Sequence, residues 1–188
     1  MHKLALAAVI ALSSTALTQA AEENVTIEGK DRPIPATITL PDGEGPFPFV
    51  VMFHGTGSNR HEAGNGYDLL APKLAEAGIA SARFDFAGSG DSTVDYIEYT
   101  PSSGMQDGLD VVAYMRGLDA IADDRLGLLG WSQGGTIAML TAARTPDVKS
   151  LATWAGVLDM SYFAADQYDD AKANGSTKLT FDWRDPLN

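Results

Sequence analysis

The segment Gly130-Trp131-Ser132-Gln133-Gly134 places a serine between two glycines, at the spacing typical of a nucleophilic serine. Serine at its normal acidity is a poor nucleophile, so this motif has chemical meaning only when an imidazole can accept the proton of the hydroxyl. The chain has three histidines, His2, His54 and His61, and all of them precede Ser132. The sequence therefore holds a candidate attacking atom with no histidine after it.

The neighbours of Ser132 predict a strand, a sharp turn and a helix. The apolar run Leu126–Leu129 precedes the motif, and apolar residues at helical spacing follow it over 137–140. A helix that begins directly after the serine directs free N–H groups at a developing oxyanion, which makes the N–H of Gln133 a candidate donor. The alternative interpretation is a serine that only caps a helix.

A second loop, His54-Gly55-Thr56-Gly57, follows the continuous apolar run Phe49–Phe53. Such a run predicts a strand buried on both faces of a parallel sheet, and a loop at its carboxyl end can turn an N–H toward the serine. We expect Thr56 and Gln133 to form an oxyanion hole. His54 is a candidate general base, but its position at a strand end favours a role in bracing the loop.

The residues that follow this loop are mostly polar. Arg60, Glu62 and Asn65 surround His61 and predict a solvated stretch, in which His61 is a second and equally weak candidate for the base.

A third motif joins the first two. Arg83-Phe84-Asp85-Phe86-Ala87-Gly88-Ser89-Gly90-Asp91-Ser92 is similar to the R-x-D-x-x-G-x-G-x-S stretch that follows the fourth strand in many α/β-hydrolases. With its three motifs in order, the chain over Val25–Trp154 resembles this superfamily, in particular serine aminopeptidases and bacterial cinnamoyl and feruloyl esterases. We expect Asp85 and Asp91 to organise their loop.

The resemblance implies an α/β-hydrolase fold, a mostly parallel sheet with helices on both faces, of which this chain supplies the first six of eight strands. In the family the order is Ser, then Asp or Glu, then His, with the acid after the seventh strand and the histidine after the eighth. Some members place the acid after the sixth strand, where Asp159 stands, so Asp159 is a possible acid. The resemblance thus implies a chain truncated at the C-terminus, with the histidine beyond residue 188.

The alternation of elements agrees with an α/β class. Two β-rich runs between Val25 and Leu40 predict an antiparallel hairpin, and strands then alternate with helices. One of these helices has Leu69, Leu70, Leu74 and Ala77 on its apolar face and stops at Gly78. After Gly156 the residues become aromatic and acidic, and no further strand is predicted there.

The ends of the chain suggest export and an incomplete domain. A short basic start and an apolar run make residues 1–20 a predicted signal peptide, with a membrane anchor as the alternative. Residues 21–157 are then the hydrolase core, and 158–188 the start of a cap or insertion, with its cap segment at Tyr162–Tyr168. A periplasmic or secreted location follows, with no membrane contact after cleavage of the signal.

Composition narrows the function classes. The 188 residues carry a formal net charge of −12, which argues against a nucleic-acid partner because phosphate binding needs a basic surface. The absence of cysteine removes disulfides, thiolate metal sites and a cysteine nucleophile. We expect no cofactor and no metal. The oligomeric state is left open.

Two functions remain. The first is an exported serine hydrolase acting on an ester or related acyl bond of a small molecule, of carboxylesterase, thioesterase or peptidase type. In these 188 residues its catalytic triad is incomplete and turnover is not expected. The second is an inactive binding or structural protein with a hydrolase-like shell.

Overall fold

A six-stranded sheet organises the fold in a computed structural model that describes residues 20–159, 168–175, 179–181 and 184–187. Its strands are β1 (Ala21–Glu28), β2 (Pro33–Leu40), β3 (Phe47–Phe53), β4 (Ala80–Phe84), β5 (Ile121–Trp131) and β6 (Ser150–Trp154). The helices are α1 (Gly66–Glu76), α2 (Pro101–Arg116), α3 (Gln133–Ala142) and α4 (Tyr168–Asn174).

The spatial order of the sheet is β1-β2-β4-β3-β5-β6. β1 and β2 form the predicted antiparallel hairpin, and β4, β3, β5 and β6 run parallel to one another. This arrangement confirms the predicted mostly parallel sheet. Parallel neighbours bring the carboxyl ends of β3 and β5 to the same edge, where the two glycine-containing loops begin.

Two apolar layers cover the two faces of β3. Phe49, Val51 and Phe53 are buried on one face against α2 and α3. Met52 faces the other side, where it packs with Tyr67 and Ala71 of α1. The apolar run at 49–53 is continuous because both faces of this strand are covered, as predicted.

The predicted apolar face of α1 is wrong at Leu69, whose side chain is 66% exposed. The buried residues are Tyr67, Ala71 and Ala75, one every four positions. The two alanines let the helix backbone approach the sheet closely, so the large Tyr67 reaches down to β3 while Leu69 points to solvent.

The prediction of no further strand after Gly156 is wrong. Two short antiparallel strands, β7 (Leu179–Phe181) and β8 (Arg184–Leu187), pair with each other and form a separate sheet. A proline within a run argues against a strand because it lacks an N–H, yet it is tolerated in an isolated pair, where one side of each strand has no partner. Pro186 lies within β8, which pairs with β7 alone among the described strands.

Several predictions fall on parts of the chain that are not described. The predicted signal peptide lies almost wholly in residues 1–19, and most of the predicted cap segment lies in residues 160–167, both outside the described residues. Among the described helices, none combines the length and the apolar character needed to cross a bilayer.

One carboxyl group in α2 is buried under the edge of the sheet. Asp107 is 1% exposed, and Nε of Arg32 lies 3.3 Å from its Oδ1. Burial raises the pKa of Asp107 to about 6, and the opposing charge of Arg32 does not offset it. The negative charges of Asp110 and Asp31 contribute to the same rise.

Asp107→Asn is therefore expected to change the pH dependence of stability. Between the ordinary pKa of 3.8 and the folded value of about 6, the folded chain binds more protons than the unfolded chain. Stability consequently falls as pH rises through this window, and a difference of about two pKa units corresponds to about 3 kcal/mol. Urea unfolding at about pH 4 and about pH 7 measures the effect.

The free energy of unfolding of Asp107→Asn, measured relative to that of the unsubstituted protein, should be higher at about pH 7 than at about pH 4. Asp119→Asn, which removes an exposed carboxyl group, is the matched control and should follow the unsubstituted protein. An Asp107→Asn difference that is the same at both pH values contradicts the prediction.

Candidate active site

The backbone at Ser132 has a conformation that a serine rarely adopts. Its φ is 51° and its ψ is −121°, and it is the single residue between β5 and α3. Such a left-handed conformation costs a non-glycine residue about 1–3 kcal/mol and persists only when the surroundings enforce it. The predicted sharp turn between a strand and a helix is present.

Hydrogen bonds to β6 and the chain after it hold this turn. The N–H of Ser132 donates to the carbonyl of Trp154 at 2.9 Å. The Ser132 carbonyl accepts from the N–H of Gly135 at 3.0 Å and from the N–H of Val157 at 3.2 Å. The rings of Trp131 and Trp154 pack edge to face, with their centroids 4.5 Å apart. The turn is thus fixed on both sides of the serine.

Two glycines let the end of β3 approach the turn. A Cβ on Gly134 would collide with the carbonyl oxygens of Phe53 and His54. A Cβ on Gly55 would lie 2.9 Å from Cδ1 of Trp131 and 3.2 Å from Cβ of Ser132. The structure therefore brings the loop that carries Thr56 against the turn that carries Ser132, as the sequence predicted.

The orientation of the Thr56 N–H follows from the peptide that it belongs to. The Gly55 carbonyl accepts from Nδ1 of His54 at 2.8 Å and from the N–H of Ser58 at 3.2 Å. In a trans peptide the N–H points opposite to the carbonyl, so these bonds aim the Thr56 N–H away from His54 and Ser58.

The two candidate donors have no competing acceptor. Within the described ranges, neither the N–H of Thr56 nor that of Gln133, at the start of α3, meets a hydrogen-bond acceptor. Both are therefore available to a ligand, and their assignment to an oxyanion hole stays a prediction.

His54 braces the loop. The ring is buried, its Nε2 accepts from the N–H of Phe86 at 3.1 Å, and its Nδ1 lies 2.8 Å from the Gly55 carbonyl. Since Nε2 accepts and a carbonyl can only accept, these partners assign the neutral tautomer with the proton on Nδ1. Both ring nitrogens are thus engaged by backbone groups, which leaves neither to take a proton from Ser132.

His61 belongs to a different network. Its Nδ1 contacts both carboxylate oxygens of Asp68, at 2.8 and 2.9 Å, and Asp68 also pairs with Arg83 at 3.0 Å. This pairing ties the loop to α1.

The predicted solvated stretch around His61 is wrong for Arg60 and Glu62, each 7% exposed. Arg60 pairs with Asp85 through Nη1 and with Asp91 through Nη2, and its N–H donates to Oδ1 of Asp85 at 2.7 Å. Glu62 accepts the N–H of Gly55 at 2.5 Å. Sequence reasoning missed both because isolated charged residues in a polar loop usually face water; only their closeness to the glycine-rich loop hinted otherwise.

Asp85 organises two loops. It accepts from the N–H groups of Arg60 and Asp91, at 2.7 and 2.9 Å, as well as from the Arg60 side chain. Hydrogen bonding and the positive charge of Arg60 hold the pKa of the exposed Asp91 below its ordinary value. The loops after β3 and β4 are thereby joined into one unit.

Asp159 lies near the turn at Ser132. Asp159 is exposed and stands two residues after Val157. The N–H of Val157 donates to the Ser132 carbonyl, and the carbonyl of Val157 accepts from Oγ1 of Thr136. Its role as the acid stays a prediction. The described residues include no group of three or more His, Asp or Glu side chains arranged to hold a metal ion.

The strain at Ser132 can be measured by two substitutions. Ser132→Gly relieves the left-handed backbone, whereas Ser132→Ala keeps it, so the glycine variant should be more stable by about 1 kcal/mol after the entropy of unfolded glycine is counted. Chemical denaturation of both variants provides the comparison.

At Ala113, an exposed position inside α2, the order should reverse: the resident alanine should be more stable than Ala113→Gly, because alanine is favoured over glycine in a helix interior. An alanine variant at Ser132 that is as stable as the glycine variant shows that the turn stores no strain.

Two characterised relatives match part of this chain. A 2,6-dihydropseudooxynicotine hydrolase of Paenarthrobacter nicotinovorans is 32% identical over 137 residues, which cover 70% of this chain and 34% of that protein. A pimeloyl-[acyl-carrier protein] methyl ester esterase of Neisseria meningitidis is 34% identical over 125 residues, covering 66% of this chain and 42% of that protein. The chain thus spans well under half the length of these two relatives.

Solved structures agree on the fold. Est1E of Butyrivibrio proteoclasticus, solved with ferulic acid bound, superposes with a TM-score of 0.68 at 24% identity, over 87% of this chain and 66% of that one. The crystal structure of a 2,6-dihydroxy-pseudo-oxynicotine hydrolase superposes with a TM-score of 0.60 at 25% identity. The superposition covers 84% of this chain and 44% of that one.

A sequence profile described as alpha/beta hydrolase fold matches residues 48–177, more than half of the chain. The match contains all three motifs and the elements that position them, from β3 through α3. The chain belongs to the alpha/beta-hydrolase family.

Proposed function

We propose that Ser132 is the nucleophile of an exported serine hydrolase that cleaves an ester or related acyl bond of a small molecule. The observation that carries this proposal is the strained backbone of Ser132 between β5 and α3, beside two N–H groups that meet no acceptor among the described residues. A serine that only capped a helix would not need this conformation, and its side chain makes no capping hydrogen bond here. The geometry therefore favours the nucleophile over the cap.

The chemical steps follow from this arrangement. Oγ of Ser132 attacks the acyl carbon, and negative charge develops on the carbonyl oxygen of the substrate. The N–H groups of Thr56 and Gln133 then stabilise that oxyanion, helped by the positive end of the α3 dipole. A base must accept the serine proton and return it to the leaving group.

The base is not assigned to His54 or His61. Backbone partners engage both nitrogens of His54, and His61 pairs with Asp68. In the family the order along the chain is Ser, then the acid, then His, so the base follows the acid. Asp159 is the candidate acid in this chain. Whether the reading frame continues past residue 188 into a strand followed by a histidine tests this part directly.

The relatives support the type of bond. One is named a hydrolase and another a methyl ester esterase, and the family profile covers the part of the chain that holds Ser132. The basic and apolar pattern of residues 1–20 supports export to the periplasm or the medium.

A fluorophosphonate probe tests the nucleophile. The probe reacts with an activated serine, and a site without its base still keeps part of its rate through the oxyanion hole. We expect slow labelling that increases at alkaline pH, located by mass spectrometry on the peptide of Ser132 and absent in Ser132→Ala. Labelling that persists unchanged in Ser132→Ala contradicts the proposal and favours an inactive binding protein with a hydrolase-like shell.

Hydrolysis of p-nitrophenyl acetate tests the base. The 188-residue chain is expected to show little or no turnover, since Ser132 has no assigned proton acceptor. Turnover that disappears with Ser132→Ala yet survives the loss of both His54 and His61 would show that another group in this chain serves as the base.

A further inference from the structure

We infer that Glu62 and Tyr67 are positioning residues that hold the two candidate oxyanion donors, Thr56 and Gln133, at a fixed separation. The inference rests on the proposed function, because it gives these residues a role in the same site. Neither touches the reacting atoms; each acts through the backbone. Glu62 lies in the loop after β3, and Tyr67 is the second residue of α1.

Glu62 fixes the peptide in front of the loop. Its carboxylate, 7% exposed, accepts the N–H of Gly55 at 2.5 Å. A hydrogen bond to a charged acceptor is roughly twice as strong as one between neutral groups, and burial strengthens it further. The next peptide is fixed by the bonds of His54 and Ser58 to the Gly55 carbonyl. Successive peptides on both sides of Gly55 are thus restrained, and the Thr56 N–H has one direction left.

The backbone of Glu62 is strained, and the hydrogen bond from the Gly55 N–H to its side chain helps to hold it in that conformation. Its φ is 56°, a left-handed value that is unusual for a residue with a Cβ. Such outliers persist where the surroundings over-determine the chain, and they cluster at functional sites. Here the strained residue is the one whose carboxylate reaches back seven positions to Gly55.

Tyr67 lies at the ends of the two strands. Its hydroxyl donates to the carbonyl of Phe53, the last residue of β3, at 2.9 Å. Trp131, the last residue of β5, packs against the buried cluster that Tyr67 forms with Met52 and Ala71. Tyr67 therefore bonds the end of the strand before the Thr56 loop and lies beside the end of the strand before Ser132.

The two residues also share an electrostatic environment. Burial raises the pKa of Tyr67, and the negative charge of Glu62 raises it further. The phenol consequently stays protonated and keeps donating to Phe53 across the pH range in which a serine hydrolase operates. Glu62 thus restrains the loop that carries Thr56, and Tyr67 anchors the end of β3 to α1.

The test uses the complete 188-residue chain and three variants. Glu62→Leu removes the acceptor at similar size, Glu62→Gln keeps an oxygen acceptor, and Tyr67→Phe removes only the hydroxyl. Glu76→Leu, at an exposed position of α1, is the matched control. The readouts are the ¹H shift of the Gly55 amide, the rate of Ser132 labelling by a fluorophosphonate at alkaline pH, and thermal unfolding.

In Glu62→Leu we expect the Gly55 amide to move upfield and Ser132 labelling to slow by about tenfold or more, less than the loss of a whole oxyanion donor. Glu62→Gln should restore most of the labelling rate, which a role in stability alone would not predict. Tyr67→Phe should slow labelling while the Gly55 amide stays near its original shift. Glu76→Leu should change neither.

A folded Glu62→Leu variant that is labelled at the original rate, or that leaves the Gly55 amide in place, overturns the inference. If Glu62→Leu does not fold, an original labelling rate in Tyr67→Phe overturns it instead. Absence of labelling on Ser132 in the unsubstituted chain is a different result: it contradicts the proposed function, and the positioning role fails with it.

Discussion

The close approach of β3 to the turn at Ser132 is the contact on which the rest of the site depends. It is possible only because Gly134 and Gly55 lack a Cβ where the Phe53 carbonyl and the Ser132 side chain lie. The parallel pairing of β3 with β5 brings the two strand ends to one edge of the sheet, where the Tyr67 hydroxyl bonds the end of β3. The sheet topology thus determines which strand end carries the serine, and the two glycines determine how closely the loop after β3 approaches it.

The polar network around the loop serves the same end by different means. His54, Arg60 and Glu62 are all buried, and each is engaged with a backbone group of this loop or with the loop after β4. Burying three such groups is costly unless every one is paired, so the network tolerates few arrangements of the chain. Such a restriction is what the proposed oxyanion hole requires, because its N–H donors must be preorganised for a charge that develops only during the reaction.

The sequence predicted the fold class and the meeting of the two loops, because both depend on regular features. The apolar run at 49–53, the turn at Ser132 and the glycine spacing follow rules of burial and periodicity that hold in any sheet of this type. It failed at Glu62 and Arg60, since the pattern of a polar loop does not show which charged side chain turns inward. It failed at Leu69 because four-residue spacing alone does not fix which stripe of a helix faces the sheet. It failed at β7 and β8 because the aromatic and acidic residues after Gly156 do not show the apolar runs of the main sheet.

The claim that the N–H groups of Thr56 and Gln133 receive the charge that develops after attack by Ser132 is best tested by a crystal structure of the chain phosphonylated on that serine. The adduct carries a phosphoryl oxygen at the place of the oxyanion. The account predicts this oxygen at about 2.7–3.1 Å from both backbone nitrogens. A phosphoryl oxygen that points to solvent, or that is bound by groups other than these two, contradicts it.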